Sequence, residues 1–353
     1  MSSNRVSIII PTRNRSVLLS QALRSACRQD WDNLELIVVD EASTDNTLNL
    51  LERHFPQVKV VRHDRAKGPG AARNSGVAAS SGEYILFLDD DDLLRPDHVR
   101  ALHAAASTLP SSSVVSGRWR RFQCTGTEVM FGPVMCCPED RADDETLVEF
   151  LEPLGEGSIW TSSVLWSRAV FERVNWDESL FTSGDVDFFG RVVLSGYRIL
   201  GRPVGMAYYR THSGERVAGT ISELSLLSAT QYHLKWNELL KAHSRRDTFR
   251  RAMQNAFMSQ MISWPRYPGA EKWLPILEDA YRSWDGRAYY LPVPPRNRLK
   301  RLAANLALKV GGPSAVVKLL ALNPEGRQRP KTAHPGPLHR ADLDDAQAVL
   351  SFL

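Results

Sequence analysis

The opening 110 residues alternate between short apolar, β-branched runs and stretches whose apolar residues recur at helical spacing, and few folds admit that alternation. Val6-Ser7-Ile8-Ile9-Ile10 closes at Pro11, and Ser16 is placed to cap a helix carrying Leu19, Ala22, Leu23 and Ala26 on one face. Leu34 to Val39 is apolar apart from Glu35, and Thr44 is placed to cap a helix with Leu48, Leu51 and Phe55 inward. Val58 to Val61 reads as a third strand. Gly68-Pro69-Gly70 turns into the small-residue helix Ala71 to Ala79, and a fourth strand, Tyr84 to Leu88, runs directly into Asp89-Asp90-Asp91-Asp92. This pattern predicts an α/β fold around a mostly parallel sheet, with helices on both faces and ligands at the carboxyl ends of the strands.

Past Pro96 the spacing predicts a helix to about Leu109 and a strand near Val114 to Arg121, then a loop or hairpin across Cys124 to Asp144. Ile159 to Trp166, a short helix at Ala169 to Val174, a helix at Asp185 to Leu194 and a strand at Val204 to Tyr209 complete a first domain, residues 1–215. Helical patterns interrupted at Pro265, Pro268 and Pro275 fill residues 216–326, and residues 327–353 read as a tail.

A length of 353 residues suits about two folding units. No stretch approaches the roughly 18 apolar residues of a membrane-spanning helix, and the first residues lack a signal pattern, so the expected compartment is the cytoplasm. Cys27, Cys124, Cys136 and Cys137 have neither metal-site nor disulfide-framework spacing and read as reduced thiols. The net charge is only +4, yet Arg287 to Lys331 holds ten Lys or Arg against one acid, Glu325, which points to an anionic partner surface. Leu299, Leu302, Ala303, Leu306 and Val310 share a helical face among Arg298, Lys300, Arg301 and Lys309. That suits a peripheral helix on an anionic membrane, at the inner face of the cell membrane; a helix packed on the first domain is the competing reading. No aromatic-rich RNA signature or zinc spacing supports a nucleic-acid partner.

The acids at the strand ends carry the chemistry: Asp40 after the second strand, Asp45 beyond it, Asp89 to Asp92 after the fourth, and Asp185. Consecutive aspartates repel unless a cation or solvent compensates, and hard oxygen donors of this kind suit Mg²⁺ or Mn²⁺, which in turn suit a diphosphate. A structural role competes at each position. The aspartate run could be a solvated turn capping the following helix, Asp40 and Asp45 turn or N-cap residues, and Asp185 the cap of its own helix. Trp166 and Trp176 read as core, with Trp160 kept as a candidate acceptor contact.

Five segments in order resemble the inverting nucleotide-sugar glycosyltransferases of family 2: Val6 to Asn14, Val38 to Asp45, Gly70-Ala71-Ala72-Arg73-Asn74, Gly82 to Asp92 with its DXD region, and Ser183-Gly184-Asp185-Val186-Asp187-Phe188-Phe189. The resemblance covers residues 5 to about 215. It implies a Rossmann-like, A-type glycosyltransferase fold followed by a helical C-terminal extension, with a donor part at about 1–110 and an acceptor and catalytic part at about 111–215. By the same resemblance Pro11, Thr12 and Arg13 line the nucleotide, Asp40 accepts from its base, and Asp45 and Arg73 close the pocket. Asp89 and Asp90 contact the nucleotide sugar, Asp90 near the ribose. Asp91 ligates Mn²⁺ or Mg²⁺, which His212 approaches, and Asp185 is the general base, although Gly184-Asp185 stands where the family commonly has Glu-Asp.

The expected activity is therefore metal-dependent, inverting transfer of a sugar, from a UDP-sugar before other donors, to a glycan, glycolipid or secondary-metabolite acceptor, as in polysaccharide biosynthesis. Two alternatives stand beside it: a non-catalytic nucleotide-sugar or glycan-binding protein on the same scaffold, and a nucleotidyltransferase.

Overall fold

The computed structural model describes residues 4–125, 128–139, 142–151, 159–211, 223–244, 246–267, 269–284 and 340–353. The first half follows the alternation: β1 (Val6–Thr12), α1 (Ser16–Cys27), β2 (Leu34–Asp40), α2 (Thr47–His54), β3 (Lys59–Arg62), α3 (Pro69–Ala79) and β4 (Tyr84–Phe87). Then come β5 (Leu93–Leu94), α4 (His98–Ala106), β6 (Ser113–Ser116), β7 (Trp119–Thr125), β8 (Glu128–Met135), α5 (Asp143–Leu151), β9 (Val164–Ser167), α6 (Gly184–Leu194), β10 (Arg198–Gly201) and β11 (Ala207–Arg210). Described helices beyond these are α7 (Glu223–Lys241), α8 (Arg246–Ser263), α9 (Ala270–Arg282) and α10 (Arg340–Leu350).

Seven strands form the main sheet in the order β10-β6-β9-β4-β1-β2-β3. Its β1, β2, β3 and β4 pairings are parallel, as are β6 and β10, while β9 runs antiparallel between β4 and β6. Alternate residues of β1 feed opposite faces: Ile9 packs with Ile37, Val39, Ile85 and Phe87 on one, and Val6, Ile8 and Ile10 with Leu36, Val38 and Leu86 on the other. Burial on both faces explains why these strands read as continuous apolar runs. Helix α3 lies close on the sheet because it is built of small residues; a Cβ on Gly76 would stand 2.3 Å from Ile9 Cγ2.

A second sheet, β5-β11-β7-β8, lies beside the first. The single strand expected over Val114 to Arg121 is in fact two, one in each sheet, broken at Gly117. There the backbone is hemmed in, and a Cβ would stand 2.7 Å from both Leu102 Cδ2 and the Val204 carbonyl oxygen. The hairpin expected in the next stretch is β7 with β8. Two helix starts also differ from expectation. Ser16 is the first residue of α1 rather than its cap, and α2 begins at Thr47, whose N–H donates to Asp45 rather than meeting Thr44.

Helices α7, α8 and α9 share one core with the sheet and α6: Tyr232, Trp236, Phe249, Phe257 and Trp264 pack with Phe188, Phe189 and Trp166. The helical region is thus a second layer over one face of the sheet. The reading of 327–353 as a tail needs correction, because α10 docks on the second sheet. Asp345 accepts from Tyr208 Oη at 2.6 Å and from Arg120 Nη1 at 2.9 Å, and Val349 and Phe352 are buried against Phe122, Phe131 and Tyr208. Nearby, Arg28, just past the end of α1, donates to the Ser351 carbonyl. The basic helix expected at 297–310 lies outside the described residues, and none of the described helices is long and apolar enough to cross a membrane.

Two buried imidazoles make the fold acid-sensitive. Burial pushes His98 and His233 down to about 4, against the usual value near 6.5. Both therefore stay neutral in the folded chain where the unfolded chain takes up protons. Their contribution to stability is whole above about pH 6.5 and falls as pH drops towards 4, by about 3 kcal/mol per ring at the end of that window. Urea denaturation at pH 7 and pH 5 should show the loss, and His98→Gln, which keeps a donor for the Ser162 carbonyl, should reduce it; equal pH dependence in both proteins would contradict this account.

Candidate active site

The carboxyl ends of β1, β2 and β4 gather the acidic residues. Among the described residues, three of the four non-glycine residues with positive φ flank this edge: Asn14 at 53°, Ala42 at 56° and Ser183 at 61°. Such conformations persist where surrounding bonds over-determine them. Asn14 shows how: its N–H donates to Ser43 Oγ and its Oδ1 accepts from Thr44 N, which ties the loop after β1 to the loop after β2.

Each aspartate of the Asp89–Asp92 turn has its own partners. Asp89 accepts from Arg73 Nη2 at 2.7 Å, and that guanidinium lies 4.4 Å from the centre of the Trp176 ring. Thr12 Oγ1 donates to Asp90 at 2.7 Å, and Arg15 Nη1 lies between Asp90 Oδ1 at 2.9 Å and Asp91 Oδ2 at 3.0 Å. Asp92, 1% exposed, accepts from Trp160 Nε1 at 2.8 Å, from Ser162 Oγ and from the Arg210 N–H, while Arg210 Nε donates to the Asp91 carbonyl. Burial, reinforced by neighbouring carboxylates, raises Asp89 and Asp92 above the usual carboxylate range and brings Asp90 to about 7. The turn is a crowded, desolvated acidic knot that would gain from more positive charge.

Asp185 lies across from it, in the first turn of α6. It does not cap that helix, which follows Ser183 without a side-chain cap bond. Its half-buried carboxylate is near enough that its charge helps raise Asp89, and no described residue donates a hydrogen bond to it. Asp187, two residues on, is fully buried on the opposite side between Arg191, Lys235 and Trp236.

Thr12, Arg73, Asp89, Asp90 and Asp91 thus meet in one knot, with Asp185 beside it. Asp40 stands apart at the end of β2, fully buried, accepting from the Ser43 N–H and facing Arg62 Nε at 3.5 Å. Asp45 braces two helix starts, accepting from Ser16 N and Thr47 N. Burial works against its charge, but the Thr47 and Ser16 donors outweigh that and hold it below its usual value. Pro11 is half-buried at the end of β1, Arg13 is exposed, and His212 lies outside the described residues.

Sequence reasoning missed three residues. Arg15 and Arg210 meet the aspartate turn from β1's loop and from β11. Glu41 is buried, accepts from Lys67 N at 3.0 Å and Gly68 N at 2.6 Å, and holds His63, so it fixes the loop that starts α3. Arg15 follows the first matched segment and Glu41 lies inside the second, but a charge beside or within a motif carries no signal of direction. Trp160, kept as an acceptor contact, is instead engaged with Asp92 and, at 4.0 Å between ring centres, with Tyr209.

Mg²⁺ keeps several waters and is held by one or two carboxylates together with substrate phosphates. Among the described residues no three His, Cys, Asp or Glu side chains converge to hold an ion. The donor set fits a site of the former kind: a hard carboxylate at Asp91, already facing one cation in the Arg15 guanidinium.

The fold is that of the A-type glycosyltransferases. S. aureus TarS 1–349 in complex with UDP-GlcNAc superposes with a TM-score of 0.57 at 18% identity, over 92% of this chain and 93% of that one. Residues 7–172, just under half of the chain, match the family described as Glycosyl transferase family 2. The GalNAc(5)-diNAcBac-PP-undecaprenol beta-1,3-glucosyltransferase of Campylobacter jejuni is 39% identical over 109 residues, 30% of this chain and 33% of that protein. WfgD of Escherichia coli, a UDP-Glc:alpha-D-GlcNAc-diphosphoundecaprenol beta-1,3-glucosyltransferase, is 38% identical over 94 residues, 26% of this chain and 37% of its own length. The chain spans about a third of these relatives.

Proposed function

We propose that the chain is a metal-dependent, inverting glycosyltransferase that moves a sugar from a nucleotide-sugar donor, UDP-linked before others, to a hydroxyl of a glycan or glycolipid acceptor. The observation that carries this reading is Asp185, a carboxylate without a hydrogen-bond donor among the described residues, beside the desolvated Asp89–Asp91 turn. A general base and a cation site belong together in this chemistry. As the bond between the anomeric carbon and the diphosphate oxygen breaks, negative charge builds on the leaving group and the acceptor oxygen must lose its proton. Asp185 takes that proton while the acceptor oxygen bonds to the anomeric carbon from the face opposite the leaving group, which inverts the centre. Asp91 would hold Mn²⁺ or Mg²⁺, which supplies electrostatic stabilisation of the departing diphosphate. Thr12, Asp89 and Asp90 contact the donor, with Pro11, Arg13, Asp40, Asp45 and Arg73 around the nucleotide.

The relatives' names support a UDP donor and a polyprenyl-diphosphate-linked saccharide as the glycolipid acceptor. The basic segment from Arg287 to Lys331 would suit peripheral binding to an anionic membrane that carries such a lipid. Incubation with UDP-glucose, UDP-GlcNAc or GDP-mannose, Mn²⁺ and a lipid-diphosphate saccharide should release nucleoside diphosphate and give a product of inverted anomeric configuration. Pyrophosphate released from a nucleoside triphosphate would instead make the protein a nucleotidyltransferase. Donor binding without any turnover would make it a binding module.

A further inference from the structure

None of the roles above uses Arg15, yet one nitrogen of its guanidinium bridges two successive carboxylates, Asp90 at 2.9 Å and Asp91 at 3.0 Å. The other guanidinium groups at the turn are engaged differently: Arg73 meets Asp89, and Arg210 Nε meets the Asp91 backbone carbonyl. Thr12 holds the second oxygen of Asp90, so the acceptor pair is fixed from the β1 side. The Arg15 side chain is 26% exposed, and the residue lies in the loop just before α1.

We propose that Arg15 is an internal cation that competes with the divalent metal for Asp91, and so sets the metal affinity of the site before a donor arrives. This rests on the reading of Asp91 as the metal ligand. A guanidinium and a divalent cation repel when drawn to the same carboxylate in a partly desolvated turn, where the repulsion is screened less than in bulk water. Metal binding must therefore displace Arg15. A nucleoside diphosphate eases the displacement in two ways, since it adds negative charge for the metal and offers the released guanidinium fork an oxyanion of matching geometry. Wild type should consequently bind metal weakly alone and much more tightly with nucleotide.

The test is Mn²⁺ titration of the full chain, read by electron paramagnetic resonance of free Mn²⁺, with and without UDP. Arg15→Gln should bind Mn²⁺ without nucleotide about tenfold more tightly than wild type, and should gain less from UDP. An affinity equal to or weaker than wild type, in a variant with the wild-type circular dichroism spectrum, overturns the proposal. If Arg15→Gln does not fold, Arg15→Met carries the same comparison, because it also removes the charge while keeping the length of the stem. It too must bind Mn²⁺ more tightly than wild type, or the proposal fails. Asp91→Asn separates the two claims. Mn²⁺ binding that survives Asp91→Asn, or is absent from wild type even with UDP, sinks the metal reading and Arg15's role with it. Binding that depends on Asp91 but is indifferent to Arg15 sinks only the latter.

Discussion

Asp185→Asn is expected to lower turnover by about 10²- to 10⁴-fold while leaving donor affinity within about threefold of wild type. Asparagine keeps the size of the side chain and its place in the first turn of α6, so the helix survives and only proton acceptance is lost. No described residue relies on the Asp185 carboxylate for a hydrogen bond, so its replacement leaves no described donor stranded. The readout is nucleoside diphosphate release at saturating donor and acceptor, beside donor binding measured by calorimetry. Unchanged turnover would remove Asp185 from the chemistry and favour the binding-module reading; lost turnover with lost donor binding would make it a donor contact instead.

Asp187→Ala should do the opposite, costing stability rather than a chemical step. This carboxylate is fully buried and meets Arg191 Nε at 2.8 Å, Lys235 Nζ at 2.9 Å and Trp236 Nε1 at 3.1 Å. Removing it strands the Trp236 indole N–H and takes the partner from a partly exposed Arg191, while Lys235 keeps Asp177 at 2.6 Å, so the expected cost is about 2–3 kcal/mol. Those partners come from α6 and α7, so the loss also loosens the joint between the sheet's α6 and the helical layer. Urea denaturation should show a large fall in midpoint; a change below about 1 kcal/mol would mean that the pairs contribute little. Two aspartates two residues apart would thus have opposite tasks, because the helix turns them to different sides.

That contrast marks what could be read from the sequence. The strand and helix order of the first 110 residues was legible because β1, β2 and β4 are buried on both faces and α1 and α3 on one, so apolar spacing reports their surroundings directly. Beyond Val114 the signal thinned for physical reasons. Strands β5 and β10 are two and four residues long, too short for a period to register, and β6 and β7 are separated only by a close backbone approach at Gly117. Asp89, Asp90 and Asp91 were legible as acids at a strand end, and Asp185 as an acid at a helix start. Arg15, Arg210 and Glu41 were not, since what distinguishes them is the partner they meet across the fold. The docking of α10 was hidden for a related reason: Asp345 is an ordinary acid until Arg120 and Tyr208 close on it.

The central claim is that the Asp89–Asp92 turn binds a nucleoside diphosphate through a cation held by Asp91. Thermal unfolding of wild type and Asp91→Asn with UDP, GDP and dTDP, each with and without Mn²⁺, tests it most directly. At about 100 times the dissociation constant a ligand adds roughly 2.7 kcal/mol of stability, a clear rise in Tm. The account predicts that rise in wild type with UDP and Mn²⁺ together, a much smaller one with either alone, and none from the pair in Asp91→Asn. Stabilisation by UDP that is the same without Mn²⁺, or that persists in Asp91→Asn, would contradict it.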